Sequence, residues 1–270
     1  MKPWENVFTH LNQHCCKPRQ TGVTMMIDKC QGPKATSDVL AMTGDYIDHW
    51  KLSFGTSALL DEDLLRLKLA EVREHDILVY PGGTLTEYAI FRGVCRPYIQ
   101  RAKELGFNGI EISDGTIYLS DAARRDAIHF ALDQGLTVVS EVGKKDPGQQ
   151  PSAEELADQA LADFEEGASW VIVEARESGK GVGIYGEDGS VHEEDVTIIA
   201  NALDSHLGRL IWEAPLKHQQ EYFIVRFGPD VSLGNIQPRD VLGAEALRAG
   251  LRFETLRNLI GKTEMEAAGM

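Results

Sequence analysis

Short apolar runs recur along the chain and alternate with longer stretches whose apolar positions repeat at helical spacing. The runs at 24–30, 49–53, 77–80, 109–113, 137–142, 170–175, 210–214 and 231–233 read as buried strands. Between them, 61–74, 94–105, 120–133, 152–166, 194–205, 217–227 and 238–250 carry the helical period. Ser152 with Glu155 three residues on is a capping box, and Gly167 closes that helix. Gly106 and Gly135 end the helices before their strands in the same way. Eight strand-like runs alternating with helices in a 270-residue chain are the α/β pattern of a single (β/α)8 TIM-type barrel. A doubly wound open sheet is the rival. Its glycine-rich first turn is missing, since β-run one leads into Asp28-Lys29-Cys30-Gln31-Gly32-Pro33. No linker, low-complexity tract or tandem repeat divides the chain. The expected organisation is a leader over 1–22 holding a short helix, a catalytic barrel over 23–255 and a C-terminal extension over 256–270, frayed from residue 263.

Charge narrows the function. A formal net charge of −15 argues against non-specific binding to nucleic acid or to an acidic membrane surface. No apolar run approaches the roughly 20 residues that span a bilayer. The start, Met1-Lys2-Pro3-Trp4-Glu5, lacks the form of a signal peptide. A cytoplasmic protein is expected, with Cys15, Cys16, Cys30 and Cys95 as free thiols because no C-x-x-C spacing occurs.

The chemistry gathers where the strand runs end, which in such a barrel is the face that carries the active site. Those ends deliver Asp28-Lys29, Lys51 with Ser53, Tyr80-Pro81-Gly82-Gly83-Thr84, Glu111 with Ser113 and Asp114, Glu174 with Arg176, Glu213, and Gly234-Asn235. The densest is Ser140-Glu141-Val142-Gly143-Lys144-Lys145-Asp146, which follows the fifth run. Carboxylates converging without His or Cys make a hard-oxygen environment suited to Mg2+, so Asp28, Glu111, Asp114, Glu141, Glu174 and Glu213 are the candidate metal ligands. The plain alternative for each is an ion pair inside the barrel. Lys29, Lys51, Arg176 and Lys180 are candidate contacts to an anionic substrate. Residues 176–192 form a glycine-bearing connection that could act as a lid, or simply as a turn with a small hairpin around Glu187-Asp188-Gly189. Gly234 and Asn235, leading into the helix at Pro238, are candidate substrate contacts where barrels hold phosphate, with a simple tight turn as the plain alternative. Of the eight His, only His49 and His218 lie near these features, and no hydrolytic triad order is visible. Trp50 and Trp212 read as core residues within strands.

With these residues laid out, the chain resembles the phosphosulfolactate synthase family, the enzymes that add sulfite to phosphoenolpyruvate. The resemblance runs from about Gly22 to Thr255. It rests on Met26-Ile27-Asp28-Lys29, Lys51-Leu52 with Gly55-Thr56-Ser57, Tyr80-Pro81-Gly82-Gly83-Thr84-Leu85 and Glu111-Ile112-Ser113-Asp114-Gly115. Further on it includes 140–146, Arg176-Glu177-Ser178-Gly179, Glu213-Ala214-Pro215 with Gln219-Gln220, and Phe227-Gly228-Pro229 with Leu233-Gly234-Asn235-Ile236. Cys30, Ser53-Phe54 and Ala175 depart from the family pattern, and no charged residue is lost. The resemblance implies a Mg2+-dependent lyase acting on phosphoenolpyruvate and sulfite, as in coenzyme M or sulfolactate biosynthesis. It also implies a homo-oligomer, with a trimer as the candidate state. A proton must reach the carbon bearing the phosphate, and Lys144 or Lys145, with its pKa lowered by burial among cations, is the candidate donor. Two rivals remain: another enolisation or aldol-type enzyme on a phosphoenolpyruvate-like acid, and a non-catalytic barrel like the plant heat-stress-associated relatives.

Overall fold

The computed structural model describes residues 2–4, 6–8 and 17–267, with side chains through residue 261. The eight strands are β1 (Thr24–Asp28), β2 (His49–Leu52), β3 (Leu78–Pro81), β4 (Gly109–Ile112), β5 (Thr137–Val142), β6 (Trp170–Val173), β7 (Leu210–Glu213) and β8 (Ser232–Ile236). They are all parallel and ordered β3-β2-β1-β8-β7-β6-β5-β4. This is the (β/α)8 barrel the alternation implies. Its helices are α1 (Pro33–Thr43), α2 (Glu62–Arg73), α3 (Gly83–Phe91), α4 (Cys95–Leu105), α5 (Asp121–Asp133), α6 (Ala153–Glu165), α7 (Glu193–Leu203), α8 (Lys217–Phe227), α9 (Val241–Arg248) and α10 (Phe253–Ala267). Among the described residues no helix is long and apolar enough to cross a membrane.

Strand alternation builds two cores. Met25, Tyr80, Val139, Trp170, Ile172 and Ile211 point inward and fill the barrel floor, while Met26, Trp50, Ile110, Val138, Val171 and Trp212 face the helices. His49 lies in the floor between Tyr80 and Trp170, and burial pushes its pKa down to about 3, so it is a neutral packing residue. Trp50 and Trp212 are core residues, as their place in the strands suggests. The barrel closes between β3 and β4 through side chains rather than a ladder. Asn108 Oδ1 accepts from Val79 N at 2.6 Å, and Asn108 Nδ2 donates to Ile77 O at 3.1 Å.

The caps match their local chemistry. The Ser152–Glu155 capping box starts α6, Asp61 and Ser120 cap α2 and α5, and Gly106, Gly135 and Gly167 follow their helices with positive φ. Several expectations need correction. α1 and α3 stand where no helical period is visible. Strand eight runs to Ile236, so Gly234 and Asn235 end a strand and are not a turn. α10 continues to Ala267, past the point where fraying was expected. Of the leader over 1–22, in which a short helix was expected, residues 1, 5 and 9–16 with Cys15-Cys16 lie outside the described residues, while Cys30 and Cys95 are free thiols.

Candidate active site

The C-terminal strand ends surround a cavity of about 230 Å3, small for a ligand site and suited to a compact substrate. Alternation decides what enters it. Lys51, Glu111, Glu141 and Glu213 point inward two positions after His49, Gly109, Val139 and Ile211, and Ser53 follows Lys51 on the same face. Glu174 and Arg176 follow from the end of β6, and Lys145 folds in from the loop after β5.

Lys51 is the hub of this layer. Its Nζ lies 2.9 Å from Glu141 Oε2, 3.1 Å from Glu111 Oε2 and 3.3 Å from Glu213 Oε1. Lys145 makes a second hub, 3.1 Å from Glu141 Oε1, 3.2 Å from Glu174 Oε2 and 3.3 Å from Glu87 Oε1. Backbone amides take the other oxygens: Gly83 N donates to Glu111 Oε1 at 2.7 Å, Ala175 N to Glu213 Oε2 at 2.9 Å and Arg176 N to Glu174 Oε1 at 2.5 Å.

Two cations among five buried carboxylates leave the layer short of positive charge, and the proton affinities follow. Burial pushes the Glu111 carboxyl up to about 8, with Lys51 opposing and the Glu141 charge adding. Burial also raises Glu213, and raises Glu174 well above the usual range, where the charges of Glu141 and Glu213 add to it. Glu141 goes the other way: against its burial, Lys145 and Lys51 hold it ionised, and the Glu174 carboxyl hydrogen-bonds to it. Burial works against the ammonium groups too, but the carboxylates outweigh it, and both Lys51 and Lys145 are raised. Lys145 is thus raised rather than lowered, because Glu141 four residues before it, with Glu174 and with Glu87 from α3, outweighs its burial and the charge of Lys51.

The other sequence candidates fall elsewhere. Asp28 points outward, since Ile27 takes the inward position on β1. Its carboxylate accepts from Trp50 Nε1, Cys30 N and Gln31 N and pairs with Lys68. Asp114 is also outside the cavity, held by Arg124 at 3.1 Å and by Lys144 at 2.6 Å. Lys144 is thereby occupied, donating also to Asp114 O and Ile117 O. Lys29 pairs with Glu177 at 2.5 Å and does not line the cavity, and Lys180 is exposed beyond it. Gly234 serves packing: a Cβ there would stand 2.5 Å from Met25 Cε. Asn235 does line the cavity, with a left-handed φ of 55°, and donates from Nδ2 to Arg176 O at 3.1 Å. The connection over 176–192 contains the small hairpin, bridged at Tyr185 and Val191. Gln219 holds it by donating to Gly179 O and Gly189 O, and Gly183 N donates to Gln150 Oε1.

The family model described as (2R)-phospho-3-sulfolactate synthase (ComA) matches residues 12–254. The chain belongs to this family. It is 42% identical over 242 residues to the phosphosulfolactate synthase of Methanothermobacter thermautotrophicus, covering 89% of this chain and 93% of that one. It is 41% identical over 238 residues to that of Methanocaldococcus jannaschii, covering 87% and 94%. Among solved structures, an HpcH/HpaI aldolase from Desulfitobacterium hafniense superposes with a TM-score of 0.56 at 11% identity, over 83% of this chain and 89% of that chain. That likeness shows the barrel alone.

In this phosphosulfolactate synthase family member the donor set facing the cavity is all oxygen and ammonium. Among the described residues no three His, Cys, Asp or Glu side chains are gathered as a metal cage, and the ammonium groups stand between the carboxylates instead. One buried acceptor at the cavity, Asn235 Oδ1, has no hydrogen-bond donor, and Glu111 Oε2 faces only the Lys51 ammonium at 3.1 Å. Such oxygens fit a hard cation, which is the chemistry Mg2+ needs. Residues that the sequence reading did not assign also reach the site, namely Ile27, Phe54, Gly82, Gly83, Glu177 and the buried Glu87. Glu87 left one trace, as an acid inside the apolar stretch Leu85-Thr86-Glu87-Tyr88-Ala89-Ile90-Phe91.

Proposed function

We propose that the cavity joins sulfite to phosphoenolpyruvate, giving (2R)-phospho-3-sulfolactate, the activity of the family to which the chain belongs. The reading rests above all on two cations, the buried Lys51 and the half-buried Lys145, facing one small cavity at the strand ends. Both substrates are small anions, and a site of this charge and size suits them. Sulfur attacks the methylene carbon, a C–S bond forms and the C=C π electrons move toward the carbon bearing phosphate and carboxylate. That carbon then takes a proton on one face. No group leaves, so the balance is one sulfite and one proton added.

The chain's own residues have separable tasks. Lys51 and Arg176 offer positive charge to the substrate carboxylate and phosphate, and Lys145 supplies the proton. Mg2+ would be held by one or two of the cavity carboxylates Glu111, Glu141, Glu174 and Glu213 together with oxygens of the anionic substrate, which it would polarise. Lys144 positions the loop through Asp114. Catalysis resides in the 23–255 barrel, and the working form is a homo-oligomer. Exposed apolar side chains at Phe253, Leu256, Leu259 and Ile260 support association. No observation favours a non-catalytic role.

The metal requirement has a direct check. Activity is expected to disappear after exhaustive dialysis against EDTA and to return with added Mg2+. Full turnover in the chelated protein would contradict it.

A further inference from the structure

The carboxylates that face Lys145 come from strand ends, with one exception. Glu87 lies in the second turn of α3, is 2% exposed and has no part in the reaction as described above. Its Oε1 accepts from Ser113 Oγ at 2.6 Å and from Gly115 N at 3.1 Å, and its Oε2 accepts from Thr116 N at 2.8 Å. The same Oε1 is 3.3 Å from Lys145 Nζ. One side chain therefore pins three residues of the loop after β4 together with a corner of the ammonium group.

That loop in turn holds Lys145. Lys145 N donates to Gly115 O at 2.9 Å. A Cβ on Gly115 would stand 2.9 Å from Lys145 Nζ and 3.2 Å from both Cδ and Cε, so the lysine stem lies across a surface that only glycine leaves open. The helix can reach this far because α3 begins two residues after β3 ends, at the side-chain-closed seam between β3 and β4. There Thr86 Oγ1 donates to Glu111 O at 2.6 Å and locks the helix against β4.

We propose that Glu87 is a positioning residue: through Ser113, Gly115 and Thr116 it builds the slot that holds the Lys145 ammonium at the reacting carbon. The slot also explains why Lys145 rather than Lys144 faces the cavity, since the neighbouring lysine is drawn to Asp114 on the outer side. The inference rests on the reading of Lys145 as proton donor, and the test separates the two.

The test is a kinetic cycle of Glu87→Gln and Lys145→Met, singly and together, with Gly115→Ala as an independent variant. Glu87→Gln keeps an acceptor for Ser113 and Gly115 but loses the charge facing the ammonium. It is expected to lower kcat by about 10- to 30-fold with KM for phosphoenolpyruvate within threefold. In the Lys145→Met background the same change is expected to cost less than twofold, since the side chain it positions is gone. Gly115→Ala leaves every Glu87 hydrogen bond in place and is expected to show the same kcat-selective loss. An equal loss from Glu87→Gln in both backgrounds, or a rise in KM with kcat kept, would overturn the positioning role. Near-normal kcat in Lys145→Met alone would instead overturn the donor assignment beneath it.

Discussion

Replacing Lys145 with methionine is expected to lower kcat at least about 10²-fold while KM for phosphoenolpyruvate stays within a few-fold. Of the two adjacent lysines, only Lys145 reaches the cavity. Lys144 gives its three donors to Asp114 Oδ2, Asp114 O and Ile117 O, whereas Lys145 lines the cavity. The raised proton affinity of Lys145 means that it arrives at the reaction charged. Its proton is held by Glu141, Glu174 and Glu87 until other positive charge reaches those carboxylates. Lys144→Met is expected to disturb the loop after β4 and to leave kcat within about tenfold of the parent. If Lys145→Met kept kcat and raised KM, Lys145 would be a binding cation. The donor would then be sought in the buried carboxyls of Glu174 or Glu111, whose proton affinities burial raises.

Lys51→Met is expected to cost roughly 3–5 kcal/mol of stability at pH 8, because it strands Glu111, Glu141 and Glu213 in the barrel without their shared cation. The deficit has a pH signature. Glu111 has a folded pKa of about 8 against an ordinary 4.5, so the stability tied to its protonated form is present below pH 4.5 and lost as pH rises through 8. Removing Lys51 deepens that loss. The stabilising share of Lys51 itself, whose pKa is raised, is present throughout this window and would fade only above its ordinary 10.5. The gap in thermal midpoint between parent and variant is therefore expected to be small near pH 5 and to widen toward pH 8. A variant as stable as the parent at pH 8 would mean that the carboxylates do not depend on Lys51.

Much of this site was legible because a strand has a period of two. Glu141 and Glu213 follow two positions after Val139 and Ile211, which the sequence already marks as apolar, and Lys51 and Glu111 follow His49 and Gly109 in the same way. The same period, counted carefully, places Asp28 and Asp114 outside, where Lys68 and Arg124 meet them. Other features were hidden for physical reasons. The α3 segment is apolar on nearly every side and follows Pro81-Gly82, so it reads as a turn, and with it Glu87 goes unseen. α1 opens with Pro33 and mixes Thr, Ser and Asp into a weak period that shows little of a buried face. The direction of the Lys145 shift depends on Glu174 and Glu87 as well as on the nearby Glu141, and the first two are 29 and 58 residues away in sequence. Strand eight extends past its apolar run because the barrel interior there is filled by Met25, leaving room only for Gly234.

The central claim is that this cavity forms a carbon–sulfur bond between phosphoenolpyruvate and sulfite. It is tested most directly by incubating the purified protein with both compounds and Mg2+ and following phosphorus NMR with mass spectrometry. A phosphate monoester heavier than phosphoenolpyruvate by one sulfite and one proton is expected, formed only when both substrates are present, with no release of inorganic phosphate. Unchanged phosphoenolpyruvate in the complete mixture, from a folded protein supplied with Mg2+, would contradict the account.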